Sequence, residues 1–238
     1  MAKTIIYKAG TRGHTNHGWL DTYHTFSFAD YYDDSRVHFG ALRVLNDDSV
    51  AGGMGFGAHP HDNMEIISIP TEGDLEHRDS MGNIQVIKSG DIQVMSAGTG
   101  IQHSEKNKNH DKPVKFFQIW VFPRQRNVTP RYGQITLNPA DRKNKLQQIV
   151  SPNEKDGATW INQDAWFQLG SFDNGKQAEY TLKNKNNGVY AFVIEGDFTV
   201  NGEKLNRRDG MGITETDKVA LTANSDKAEI LLMEVPMR

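Results

Sequence analysis

The chain reads as an all-β protein built from a duplicated barrel module, and three features predict this. Its apolar runs are short, rich in Val, Ile and Phe, and broken by Gly, Asn and Asp about every ten residues, as expected of short strands in a sandwich or barrel. Helical periodicity is hard to find. The third feature is a weak internal repeat. Glu72-Gly73-Asp74 is followed by a hairpin and then Gly90-Asp91, and Glu195-Gly196-Asp197 by a hairpin and then Asp209-Gly210.

In chain order, strands are expected at 40–45, 65–69, 84–87, 92–96, 116–122, 189–194, 197–200 and 230–235, with a short one at 133–137. Met81-Gly82-Asn83 supplies a turn between two of them. Asn201-Gly202 is a tight-hairpin dipeptide because both residues tolerate positive φ. The polar stretch 124–163, which follows Pro123 and has prolines at 130, 139 and 152, reads as the connector. The expected units are residues 1–135, carrying the chemistry, and 136–238, which has no metal site, because all nine histidines lie at or before His110.

Composition narrows the function classes. A net charge of −3 gives no long-range attraction to nucleic acid or to an anionic membrane. The apolar stretches are far shorter than a membrane span, and the lysine-interrupted N-terminus lacks a signal-peptide core, so a cytoplasmic address is expected. The absence of cysteine excludes disulfides, thiolate metal sites and cysteine nucleophiles. Any metal must be held by nitrogen and oxygen.

Two short words supply such ligands: His59-Pro60-His61 and His103-Ser104-Glu105. On a strand, residues i and i+2 share a face and stand roughly 6.6 Å apart, so each word is a pair of claws. If the two strands pair or face each other, His59, His61, His103 and Glu105 converge on one divalent metal and leave positions open for other ligands. Glu65 is the rival carboxylate, but extended chain carries it about 13 Å from His61, which favours Glu105 and leaves Glu65 to orient an imidazole. His14, His17 and His24 read as hydrogen-bonded turn and edge residues rather than a second site. His38, His77 and His110 read as structural or exposed. Trp19, Tyr23, Phe26, Phe28, Tyr31 and Tyr32 read first as core, with a pocket for a planar ligand as the alternative.

The stretch from Gly53 through His59-Pro60-His61 to Gly73 resembles the first cupin motif, and that from Gly90 through Gly98-Thr99-Gly100 to His103-Ser104-Glu105 the second. More narrowly, Glu76-His77-Arg78-Asp79-Ser80, Met95-Ser96-Ala97-Gly98-Thr99-Gly100 and the opening His24-Thr25-Phe26-Ser27-Phe28 resemble the pirin family of bicupins, over residues 12–123. The resemblance implies two tandem cupin, jelly-roll-like β-barrels. It also implies His59, His61, His103 and Glu105 as ligands of one divalent transition metal, Fe(II) first, with Ni, Co, Mn or Zn compatible. For several members it further implies quercetin 2,3-dioxygenase activity, the opening of a flavonol ring by O2 with release of CO. The expected partners are therefore a small aromatic substrate and O2, with Glu105 taking the substrate's proton. The alternative is a metal- or redox-dependent regulatory protein with a protein partner and no turnover.

Overall fold

The computed structural model describes residues 2–237, and among these it contains strands and four short 3-10 turns but no α-helix. Burial follows the pattern of each strand. Ile101–Asn107 alternates, with Ile101, His103, Glu105 and Asn107 buried and the residues between them exposed or half-buried, because one face of its sheet meets solvent. Asp91–Ser96 is buried throughout, since layers cover both of its faces.

Each barrel is a seven-stranded sheet closed by a four-stranded one. In the first, the large sheet runs in the order Arg131–Thr136, Asp91–Ser96, Glu65–Glu72, Val114–Val121, Leu42–Val50, Leu20–His24, Gly13–Asn16. Its small sheet runs Gly55–His61, Ile101–Asn107, Asp74–Asp79, Ile84–Lys88. The second barrel repeats the plan. Lys3–Tyr7, Gly210–Thr214, Asn187–Glu195, Ala228–Pro236, Trp166–Phe172, Leu146–Ser151 and Thr159–Trp160 form the large sheet, and Gln177–Thr181, Lys218–Ala223, Phe198–Val200 and Glu203–Leu205 the small one. These are two cupin-like domains in tandem.

The internal repeat has a physical basis. Glu72 and Glu195 each end a central strand, and Gly73 and Gly196 follow at φ +76° and +71°, turning the chain into the small sheet. The second half of the repeat is offset by one residue from the sequence reading. Asp91 accepts the Lys88 N–H and Asp209 accepts the Asn206 N–H, so these two aspartates correspond, and Arg208, at φ +66°, stands where the first barrel has Gly90.

Two features depart from a linear division of the chain. Lys3–Tyr7 pairs antiparallel with Gly210–Thr214, so the first strand completes the second barrel, as Arg131–Thr136 completes the first by pairing with Asp91–Ser96. Leu146–Ser151 and Thr159–Trp160, inside the stretch read as connector, are strands of the second sheet. Their polar neighbours Gln147 and Gln148 hid the pattern.

The two large sheets bury their outer faces against one another. Leu45, Ile67, Ile69, Phe117 and Ile119 from the first meet Phe167, Tyr190, Phe192, Leu231 and Met233 from the second in one apolar core. Arg208 crosses this interface: its Nε donates to Asp47 at 2.9 Å and its guanidinium lies 5.0 Å from the Phe117 ring centroid.

Candidate metal centre

Gly55–His61 and Ile101–Asn107 pair antiparallel with His103 directly opposite His59. The i, i+2 spacing brings His61 onto the same face. The three rings lie 4.4 Å (His59 to His103) and 4.9 Å (His61 to each of the others) apart between centroids, and one ring nitrogen from each lies within 4.8 Å of the other two. Among the described residues this is the one cluster of three or more potential ligands so close together.

The hydrogen bonds leave the cluster's nitrogens free for an ion. The His59 Nδ1–H donates to the Gly57 carbonyl at 2.8 Å, which leaves the Nε2 lone pair available and fixes the tautomer. His103 is buried with neither ring nitrogen hydrogen-bonded, a costly state for an imidazole unless something else takes a lone pair. Burial, reinforced by the neighbouring imidazoles, pushes His103 down to about 2, and burial with His59 beside it pushes His61 down to about 4. Both are therefore neutral at pH 7, the form that binds a cation. Three imidazole nitrogens on paired strands fit a divalent transition ion.

Glu105 stands outside the imidazole cluster. The Gly55–His61 strand carries one extra residue between Phe56 and His59, so Glu105 opposes Phe56 while its own strand stays regular against Asp74–Asp79, and the buried Glu105 carboxylate lies inside the barrel. There it accepts from Ser68 Oγ at 3.0 Å and Gln118 Nε2 at 2.6 Å. Burial raises its carboxyl to about 7, against the lowering effect of those two bonds. Ser68 and Gln118 belong to a polar row that runs in register across four strands, Ser68 to Gln118 to Asn46 to His24. Glu65 is on the other face of its strand, bonded to Ser96 Oγ at 2.6 Å and Asn162 Nδ2 at 3.3 Å. It therefore tethers the second domain and orients no imidazole, because the strand's alternation turns it away from the barrel interior.

His77, expected to be structural or exposed, is structural. It is wholly buried, its ring 5.3 Å from that of His103, and its Nε2–H donates to Asp79 at 3.0 Å while Nδ1 has no partner. Burial works against ionisation of Asp79, but bonds from His77 and Asn83 outweigh it and hold the carboxyl below its ordinary value. The signal was in the sequence: His77 and Asp79 are a third i, i+2 word beside the other two.

The N-terminal aromatics divide between core and cavity. Phe26 packs against Tyr7 and Tyr190 in the interdomain core, and Tyr32 is exposed. Trp19 and Phe28, joined by Phe56, line a cavity of about 320 Å³ whose polar wall is Thr22, His24, Asn46 and Asp48. Phe28 packs edge-on against Trp120, and Trp120 against His61, so the cavity wall is one residue removed from the imidazole cluster. His14 pairs with Asp21 at 2.6 Å and His24 with Asn46 at 2.9 Å, as hydrogen-bonded residues rather than a second metal site.

The family profile described as Pirin matches residues 7–121, and that described as Quercetinase C-terminal cupin domain matches residues 148–235. Quercetin 2,3-dioxygenase of Escherichia coli (strain K12) is 42% identical over 98% of this chain and 99% of its own. The chain belongs to the pirin family. A pirin-like protein of Caulobacter vibrioides is 39% identical over 93% of this chain and 95% of its own. Among solved structures, YhhW from Escherichia coli superposes with a TM-score of 0.94 at 40% identity, covering 98% of both chains. The bacterial pirin YhhW in complex with nickel(II) superposes at 0.92 and 40% identity, over 98% of this chain and 99% of that one. Among the described residues no helix is long and apolar enough to cross a membrane.

Proposed function

We propose that this pirin is a metal-dependent quercetin 2,3-dioxygenase-type enzyme that opens the ring of a flavonol with O2 and releases CO. The observation that carries the reading is the cluster of three imidazoles, with both His103 nitrogens unpartnered, in a chain 42% identical to a protein named for that activity. His59, His61 and His103 would hold one divalent ion, with Glu105 as a fourth ligand. Fe(II) is the proposed ion, and the same donors suit Ni, Co, Mn and Zn. When bound, the ion would supply a positive centre that acidifies the flavonol 3-hydroxyl.

The chain's own residues do the rest. Glu105 accepts the proton from that hydroxyl oxygen, a task suited to a carboxyl that burial places near 7. Gln118 and Ser68 hold the carboxylate in position. Trp120, packed on His61, and Phe28 beyond it would offer an aromatic surface along which the substrate's flat rings extend from the imidazoles toward the cavity.

The test is aerobic quercetin consumption with CO detection, by protein of known metal content reloaded separately with Fe(II), Ni(II), Co(II) and Mn(II). Metal-dependent CO release is expected, lost in His61→Ala along with the metal, and reduced at least a hundredfold in Glu105→Ala with metal retained. One bound equivalent and no turnover with any of the four would instead support a metal-dependent regulatory protein.

A further inference from the structure

Asp48 is a buried carboxylate with no cation beside it. It is 5% exposed, forms no salt bridge among the described residues, and accepts one side-chain hydrogen bond, from Thr22 Oγ1 at 2.5 Å to Oδ1. Glu234, the corresponding kind of group in the second barrel, is treated differently: Tyr180 Oη, the N–H groups of Lys183 and Asn184, and Asn187 Nδ2 all donate to it. The other Asp48 oxygen has no hydrogen-bond donor and is not sealed within the protein, so it is left to face the cavity and a donor that enters it. Asp48 lines the cavity whose apolar walls are Trp19, Phe28 and Phe56. Burial lifts its carboxyl to about 7, opposed by the Thr22 bond and helped by Glu105 nearby.

We propose that Asp48 is a specificity residue: its free oxygen accepts a hydrogen bond from a ring hydroxyl of a planar aromatic ligand seated between Trp19, Phe28 and Phe56. The ligand class is thus a phenol-bearing polycycle rather than a bare aromatic. At the same wall Asn46 and His24 are bonded to each other, and Asp48 is the buried carboxylate, with Asp30 exposed at the rim. The hydroxyl concerned is remote from the reacting position, because the cavity is separated from His61 by Phe28 and Trp120. The proposal deepens the flavonol reading and rests on it for the identity of the ring system. Recognition by a buried acceptor discriminates strongly, since a ligand lacking the hydroxyl leaves the carboxylate desolvated and unpaired.

Calorimetric titration of the full-length protein tests this with two probes. Luteolin carries hydroxyls on both outer rings and lacks the 3-hydroxyl; flavone carries none. The titrations are run anaerobically, on Zn-loaded and on metal-free protein, so that a preference caused by the metal is seen as a difference between the two. The wild type is expected to bind luteolin at least tenfold more tightly than flavone in both forms. Asp48→Asn should reduce that preference to threefold or less with flavone affinity unchanged, whereas Trp19→Leu should weaken both ligands alike. Equal affinities in the wild type, a preference that survives Asp48→Asn, or binding of neither probe overturns the proposal. A wild-type crystal soaked with luteolin gives an independent reading if Asp48→Asn fails to fold: a hydroxyl within hydrogen-bond distance of Asp48 supports the assignment, and a ligand seated elsewhere ends it. Quercetin turnover without luteolin binding would sink this assignment and spare the enzymatic one; binding without turnover would do the reverse.

Discussion

The two barrels share one plan and differ inside. Taking Glu72-Gly73 and Glu195-Gly196 as equivalent, the strand registers place Ser68 against Ala191, Gln118 against Leu232, His77 against Val200, Glu105 against Leu221 and His103 against Val219. Each of these five polar residues has an apolar one at the matching place in the second barrel, whereas Asn46 and His24, farther along the row, are matched by Gln168 and Gln148. There, Val189, Val193, Phe198, Val219, Leu221 and Leu232 close into one continuous core. In the first barrel the interior core is split into two smaller clusters, one around Leu75, Ile87 and Phe116 and the other around Ile66, Met95 and Ile101, with the polar row between them. The comparison teaches that the fold itself does not need polar residues at the places of Ser68, His77, His103, Glu105 and Gln118. The first barrel gives up apolar packing to hold a site, and the second, pressed against it through a largely apolar interface, contributes packing from outside.

The contrast can be broken most severely from the apolar side. Leu221→Glu places in the second barrel the carboxylate that the first one carries, without Ser68 or Gln118 to receive it. Urea unfolding should show a loss of about 4 kcal/mol or more. A loss under about 1 kcal/mol would mean that the second interior tolerates charge and that the difference between the barrels is incidental.

A smaller effect is expected from Glu105→Gln, read against pH in metal-free protein. Burial raises the Glu105 carboxyl to about 7 from an ordinary 4.5, so the folded state binds more protons than the unfolded state between those values. This group's contribution to stability is intact below about pH 4.5 and declines as pH rises toward 7. Glutamine cannot ionise, so the variant should gain on the wild type across that window, by on the order of 3 kcal/mol, and run parallel to it above pH 7.5. Urea midpoints at half-unit intervals would reveal this; parallel curves throughout would show that Glu105 titrates normally.

The smallest effect sharpens the comparison at a single position. Gln118→Leu gives the first barrel the residue that the second has at 232. It removes one bond to Glu105, costing about 1–3 kcal/mol of stability, and should weaken nickel(II) binding by ten- to a hundredfold through the loosened carboxylate. Unchanged nickel affinity by competition with a chelator would remove Gln118 from the site's support.

Much of this was legible from the sequence, for reasons that can be named. The period of two put His59, His61, His103 and Glu105 on inward faces, and the paired Glu-Gly-Asp turns revealed the duplication. The fine position of Glu105 was not legible. It depends on a bulge that a strand-spacing argument has no means of seeing. Nor was the partnership of Ser68, Gln118, Asn46 and His24, four residues from four separate strands that meet only through register. Asp48 was hidden for the same reason, since nothing near it in the chain says that its cross-strand neighbours are Thr22 and Phe116. Glu65 shows the converse: its place beside the histidine word suggested a role at the imidazoles, and alternation sent it to the domain interface instead.

The exchange of Lys3–Tyr7 into the second barrel bears on how the molecule matures. Lys3 pairs with Thr214, more than two hundred residues later, so this segment leaves the ribosome long before its partner does. Until Gly210–Thr214 emerges, the segment is an unpaired strand and the sheet that will receive it has no edge to offer. Closing so long a loop is slow, and it couples the two barrels during folding: neither can be cut away cleanly, because a second barrel produced alone begins with an open edge where residues 3–7 belong.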